Sequence, residues 1–118
     1  MHELALTEDI LAAALDAARR TGARAIRQLR LTISSASHIE LETVRLHFAL
    51  ISPGTLAEGA ELVFATRPVE QTCRYCGRVF VVNSDLTCPT CGGPALPEPD
   101  DYEMALEGMD VDVPVQSP

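Results

Sequence analysis

The chain contains no tryptophan and no lysine, and aromatic residues fill only 4% of its 118 positions. A core must therefore come from Leu, Ile, Val and Ala, which the 47% hydrophobic content can supply. No apolar run approaches the roughly 20 residues a membrane span requires, so no span is expected. The start Met1-His2-Glu3 is polar and unlike a secretory leader, and a cytoplasmic location is expected. A basic face is missing too. All nine basic residues are Arg, six of them in the first half, whereas Glu98 to Asp112 carries only acids. With a formal charge of −8, the phosphate-neutralising surface that nucleic-acid binding rests on is lacking. The acidic stretch reads as a solvated surface, with a docking surface for a basic partner as the alternative. The length suits one ordinary domain with a small insert.

Cysteine is scarce but placed with purpose. Cys73-Arg-Tyr-Cys76 and Cys88-Pro-Thr-Cys91 are two C-x-x-C pairs with eleven residues between them. Each pair bends into a turn that aims two sulfurs at one point, and zinc prefers tetrahedral thiolate coordination. Gly77 and Gly92 follow the pairs, where the turn needs positive φ and where backbone amides can point at sulfur. Two disulfides are the competing reading, but cytosolic thiols stay reduced. A thioredoxin-like redox motif would need one C-x-x-C opening a helix. Zinc on Cys73, Cys76, Cys88 and Cys91 is the expectation. Four protein thiolates leave no open position, so such a site is structural rather than catalytic. Val79 to Val82 reads as a short strand and Asn83-Ser84-Asp85 as a turn, which makes the insert a zinc ribbon.

Around the insert the hydrophobic period alternates. Leu4, Leu11, Leu15 and Ala18 predict a helix face, widened by Ile10 and Ala14 and stopped at Gly22. Leu29, Leu31 and Ile33 alternate with polar residues and predict a strand. Ser37 with Glu40 reads as a capping box for a second helix, whose face is Leu41, Val44, Phe48 and Ile51. A second strand is predicted over Ala60 to Thr66, ended by Pro68. After a connector with Pro94, Pro97 and Pro99, a third strand carries Tyr102, Met104 and Leu106, then Met109, Val111 and Val113 on the opposite parity. A bulge at Glu107-Gly108 reconciles the two sets. The expected architecture is α+β: two helices packed on a three-stranded sheet, with an inserted zinc-ribbon subdomain. Residues 1–70 with 99–113 form the α/β domain, 71–98 the insert and 114–118 a frayed tail.

His2 moves the reading from scaffold to function. A free amine, an amide and an imidazole follow one another at Met1-His2, and Glu3 offers a further amide or carboxylate. Adjacent nitrogens close chelate rings, and such a nearly planar nitrogen set suits Ni(II) or Cu(II). Binding displaces protons, so affinity falls as pH drops through the range of imidazole and amine.

Met1-His2-Glu3-Leu4, the helix-strand-helix order with Arg45 and Phe48, Gly59-Ala60-Glu61 before a strand, and C-x-x-C-G with C-P-x-C-G at 73–92 occur in register. Together they resemble the hydrogenase-maturation nickel metallochaperones, the HypA/HybF family, over nearly the whole chain. The resemblance implies Ni(II) as transported cargo, bound at His2 with Met1 and Glu3 as neighbouring donors. It implies delivery to the [NiFe] hydrogenase large subunit with a nickel GTPase accessory protein, some relatives also serving urease and its accessory proteins. The four cysteines match the family's zinc ligands. The loop Ser34-Ser35-Ala36-Ser37-His38 departs from the family's glycine-containing sequence there.

Two other histidines are expected on the surface: His38 just before the second helix and His47 off its apolar stripe. An alternative function is a zinc-ribbon adaptor that binds protein without delivering nickel. An enzyme is not expected, because no open metal site, phosphate loop, nucleophile elbow or acid pair is legible.

Overall fold

The computed structural model describes residues 2–95 and 103–114. Met1, Pro97, Pro99, Tyr102 and residues 115–118, on which part of the sequence reading fell, lie outside them. Helix α1 spans His2–Arg20, with Glu3 in its first turn and Arg19 and Arg20 in its last, as the helix dipole favours. Its buried line is Thr7, Leu11, Ala14 and Ala18. Leu4, expected on that line, is 39% exposed. Thr7 enters the core instead, because its hydroxyl donates to the Glu3 carbonyl at 2.6 Å and leaves no polar group unpaired. Beyond Gly22 the Ala23 amide returns to the Ala18 carbonyl and closes the helix.

Strand β1 (Ala25–Ser34) is the middle of a three-stranded sheet. It pairs in parallel with β2 (Glu61–Arg67) and antiparallel with β5 (Met104–Asp112). The parallel pair needs a crossover, and helix α2 (Leu41–Ile51) lies within it. Ile26, Leu29, Leu31 and Ile33 from β1, Val44 and Phe48 from α2, Leu62 and Met104 join the α1 line in one aliphatic core. This is the α+β arrangement the sequence implied. The bulge at Glu107-Gly108 is present: Arg30 pairs Gly108 while Leu31 pairs Leu106. A second register shift leaves Arg27 as an extra residue in β1, so that Ile26 and Leu29 share the core face despite their spacing. At this end Asp112 accepts from Arg24 and Arg27, which holds its carboxyl below the usual range.

Helix α2 starts later than the capping box implied. Glu40 is its N-cap and makes no side-chain cap bond. The Ser37 hydroxyl is taken elsewhere, donating to Glu103 at 3.2 Å and accepting the Ile39 amide at 3.0 Å. Within α2, Leu41 is 39% exposed although it was read as part of the apolar face.

The chain leaves the sheet at Arg67 for a two-stranded hairpin, β3 (Glu70–Thr72) and β4 (Val79–Val81). A small separate core forms there from Val69, Cys73, Phe80, Val82, Cys88 and Ala95, with Ala36 from the loop after β1 packed against it. That loop fastens the insert at both crossings. Ser35 Oγ accepts the Val69 amide and its own amide bonds the Arg67 carbonyl, while the Ser34 amide bonds the Glu103 carbonyl.

Leu29 is fully buried at the centre of the sheet. Leu29→Ala is expected to lower unfolding stability by about 2–5 kcal/mol, read as an earlier urea midpoint in the far-UV helical signal.

Candidate metal centre

The C-x-x-C turns build the site from local geometry. In the first, the Gly77 amide returns to the Cys73 carbonyl at 2.9 Å and the Cys73 amide bonds the Arg78 carbonyl at 2.8 Å. The second repeats this with Gly92 on Cys88 at 2.9 Å and Cys88 on Gly93 at 2.8 Å. Gly77 and Gly92 hold φ of 78° and 76°, the left-handed region the turns were expected to require. The amides aimed at sulfur belong to other residues than those glycines. Tyr75 donates to Cys73 Sγ and Gly93 to Cys91 Sγ, each at 3.4 Å. Gly93 also has no room for a side chain, since a Cβ there would stand 2.8 Å from the Tyr75 ring. Sequence reasoning did not single out Gly93. Its only signal was the doubled glycine after Cys91.

The two turns bring all four sulfurs within 4.8 Å of one another. Cys73 and Cys91 sulfurs are 3.5 Å apart and those of Cys76 and Cys88 are 3.7 Å apart, with every thiol free. A tetrahedral ion with metal–sulfur bonds of about 2.3 Å sets its sulfurs about 3.8 Å apart, so the donor set fits such an ion. Four thiolates this close repel one another, and the thiols divide accordingly. Amides of Cys76 and Tyr75 lower Cys73 to about 6, aided by the adjacent thiols. Cys88 is lowered chiefly by the Cys91 amide. The Gly93 amide pulls Cys91 down, but Cys73 beside it and desolvation push it up to about 11. In Cys76 the Arg78 amide is likewise outweighed by desolvation and by Cys73 and Cys88, and the thiol is raised. A metal that replaces the shared protons removes this conflict.

The N-terminal candidates lie on another element. Helix α1 begins at His2, and Glu3 is half-buried in its first turn. His38 is exposed on the loop before α2. His47, expected on the surface, is instead half-buried, and its Nδ1 is enclosed with no hydrogen-bond partner. The side of α2 next to Val44 and Phe48 lies closer to the packed interior than the stripe alone implied. Among the described residues, the four cysteines are the one group of three or more His, Cys, Asp or Glu side chains arranged to hold a metal.

Comparison with known proteins adds a family. The model for HypA, described as hydrogenase/urease nickel incorporation, metallochaperone, matches residues 1–111. A hydrogenase maturation factor HypA from Dehalococcoides mccartyi is 34% identical over 118 residues, covering 99% of each chain. Another, from Acidithiobacillus ferrooxidans, is 33% identical over 113 residues, 95% of this chain and 100% of that one. Among solved structures, the Ni metallochaperone HypA from Helicobacter pylori aligns with a TM-score of 0.66 at 20% identity, over 97% of this chain and 100% of that one. That likeness is one of fold.

With Cys73 lowered to about 6 and thus already ionised near neutral pH, Zn(II) binding there is expected to release fewer than four protons. Titration calorimetry in buffers of different ionisation enthalpy counts them. A release of four would show that no thiolate stands ready. Affinity is expected to fall with pH across the neutral range, because Cys91 and Cys76 must give up protons, and to fall more steeply below about pH 6, where Cys73 regains its own.

Proposed function

The chain belongs to the HypA family of hydrogenase and urease nickel-incorporation metallochaperones, and from that premise we propose that it binds Ni(II) through His2 and hands it to the maturing [NiFe] hydrogenase large subunit. The observation that supports this reading is the family match, which covers residues 1–111 and so includes Met1-His2-Glu3. That family is one of maturation factors rather than enzymes, and nickel is cargo here.

The placement of His2 at the beginning of α1 supports the chemistry. The first four amides of a helix have no intrahelical acceptor, so His2 and Glu3 can lend backbone nitrogens to a metal without breaking the helical ladder. The positive end of the helix dipole favours the anionic form of those amides. The Met1 amine and the His2 imidazole complete a nitrogen-rich set of the kind square-planar Ni(II) accepts, with Glu3 as a further donor.

Cys73, Cys76, Cys88 and Cys91 hold structural Zn(II) in this reading. With four protein sulfurs on the ion no position is left for nickel or water, which separates the resident metal from the transported one. The partners are a nickel GTPase accessory protein and the hydrogenase large subunit, with urease accessory proteins served by some relatives, all in the cytoplasm.

Nickel titration of zinc-loaded protein with a native, untagged N-terminus tests the proposal. One Ni(II) per chain is expected, with His2→Ala losing most of the affinity, about ten-fold or more. An extension before Met1 should weaken binding similarly by removing the free amine. Equal binding by wild type and His2→Ala would overturn the assignment of His2.

A further inference from the structure

Helix α2 carries more apolar surface than it buries. Val44 and Phe48 are enclosed, 1% and 6% exposed, and Ile51 packs at the margin of the core. One turn apart on another face, Leu46 and Leu50 are 59% and 68% exposed. Ala49 is exposed beside them at helical spacing, and Pro53, just past the helix end, is exposed as well. Two sides of α2 are therefore apolar, and the core covers one of them. Contiguous exposed apolar surface of this kind marks an interaction site.

The stripe borders an open cleft of about 360 Å³, lined among others by Ala49, Pro53, Ala60 and Leu62. Its rim decides the charge of what fits. Arg45 is the single cation among the described lining residues, and its charge is turned toward the sheet. Its Nη1 donates to the Leu62 carbonyl at 3.2 Å and its Cζ lies 4.9 Å from the Phe64 ring centroid. Glu58 and Glu61 are exposed, and Glu61 accepts from the neutral Gln28 amide at 2.9 Å, so both keep their negative charge outward.

The geometry points to a docking site for an amphipathic helix of a partner protein, with Leu-type side chains seated on Leu46, Leu50 and the cleft, and Lys or Arg facing Glu58 and Glu61. Charge complementarity selects this occupant over a second copy. A two-fold contact here would set two acidic rims against each other on chains of charge −8. The inference does not depend on the nickel reading, because neither His2 nor the cysteines take part.

The test uses the zinc-loaded full chain and a fluorescein-labelled synthetic peptide of Leu and Lys, about 18 residues long and patterned as an amphipathic helix. Its twin has Glu in place of Lys. Fluorescence anisotropy at moderate salt should show binding of the Leu/Lys peptide alone. The double substitution Leu46→Ser with Leu50→Ser should weaken it about ten-fold or more, and Glu58→Gln with Glu61→Gln should weaken it and reduce its salt dependence. Amide shifts of wild-type chain on adding the peptide should cluster at residues 45–53 and 58–62, a readout that does not depend on how any variant folds. Shifts confined to the ribbon or β5 would overturn the proposal, as would undiminished binding by a folded double-Leu variant. Equal binding of the Glu twin would overturn the charge assignment. A wild-type dimer dissociated by the double substitution would give the face to a second copy instead.

Discussion

Everything in this fold hangs from β1. Among the described residues it is the one strand paired along both edges, in parallel with β2 and antiparallel with β5. Its inner face supplies Ile26, Leu29, Leu31 and Ile33 to the core that α1 and α2 cover. A strand so placed has no freedom to slip, since a shift of one residue would turn four aliphatic side chains out and Arg30 and Thr32 in. The aromatic-poor composition makes this more demanding, because small aliphatic side chains fill space only when elements approach closely. Ala14 and Ala18, both fully buried on α1, are what such an approach looks like from the helix side.

The same strand fixes the zinc-ribbon insert. Its end runs into the Ser34–Ser37 loop, whose backbone and hydroxyl groups bond the chain where it leaves the sheet near Arg67 and where it returns at Glu103. Three serines act here as short, rigid connectors, each hydroxyl close enough to the backbone to satisfy an amide that would otherwise be buried unpaired. A serine-rich loop serves the fold in this way without glycine. What it must provide is two anchoring points, and hydroxyls provide them by side chain. With Ala36 lying against the ribbon's own small core, the insert is joined to the sheet by packing as well as by hydrogen bonds.

Which parts of this were legible in the sequence follows from how local their causes are. The grouping of the four cysteines was readable, since each C-x-x-C-G turn closes within a few residues, whereas Gly93 and the amides that reach the sulfurs were not. The bulge at Gly108 was readable because a change of hydrophobic parity leaves a written trace; the bulge at Arg27 was less so, as Ile26 preceded the alternation that drew attention. The capping box failed through competition. Ser37 has the right spacing to Glu40, but Glu103, distant in sequence, and the Ile39 amide claim its hydroxyl. Strand β3, Glu-Gln-Thr, has no apolar alternation at all and exists because Val79 to Val81 pairs with it. Leu4 gave up its expected place on the core face to Thr7 for a similar reason: a hydroxyl that bonds its own helix can be buried, although hydropathy alone counts it as polar.

The candidate residues divide along the same line. Four thiols define a site by their spacing, and the amides that tune them come with the turns. The role proposed for His2 is not written in any spacing, because it rests on backbone groups and the unbonded amides of a helix start, features shared by many chains that bind no metal. The resemblance to a family is what made it a candidate. Helix α2 is a third case, because the face read for it, Leu41, Val44, Phe48 and Ile51, leaves Leu46 and Leu50 out. Its apolar residues outnumber what one core face needs, yet a periodicity search stops once a face is found. Val44 and Phe48 satisfy the fold; Leu46 and Leu50 are surplus to it, standing in water beside a cleft whose outward charge is acidic. An unneeded leucine on a solvent-facing helix costs solubility, so its explanation has to be sought in what the chain meets rather than in how it folds.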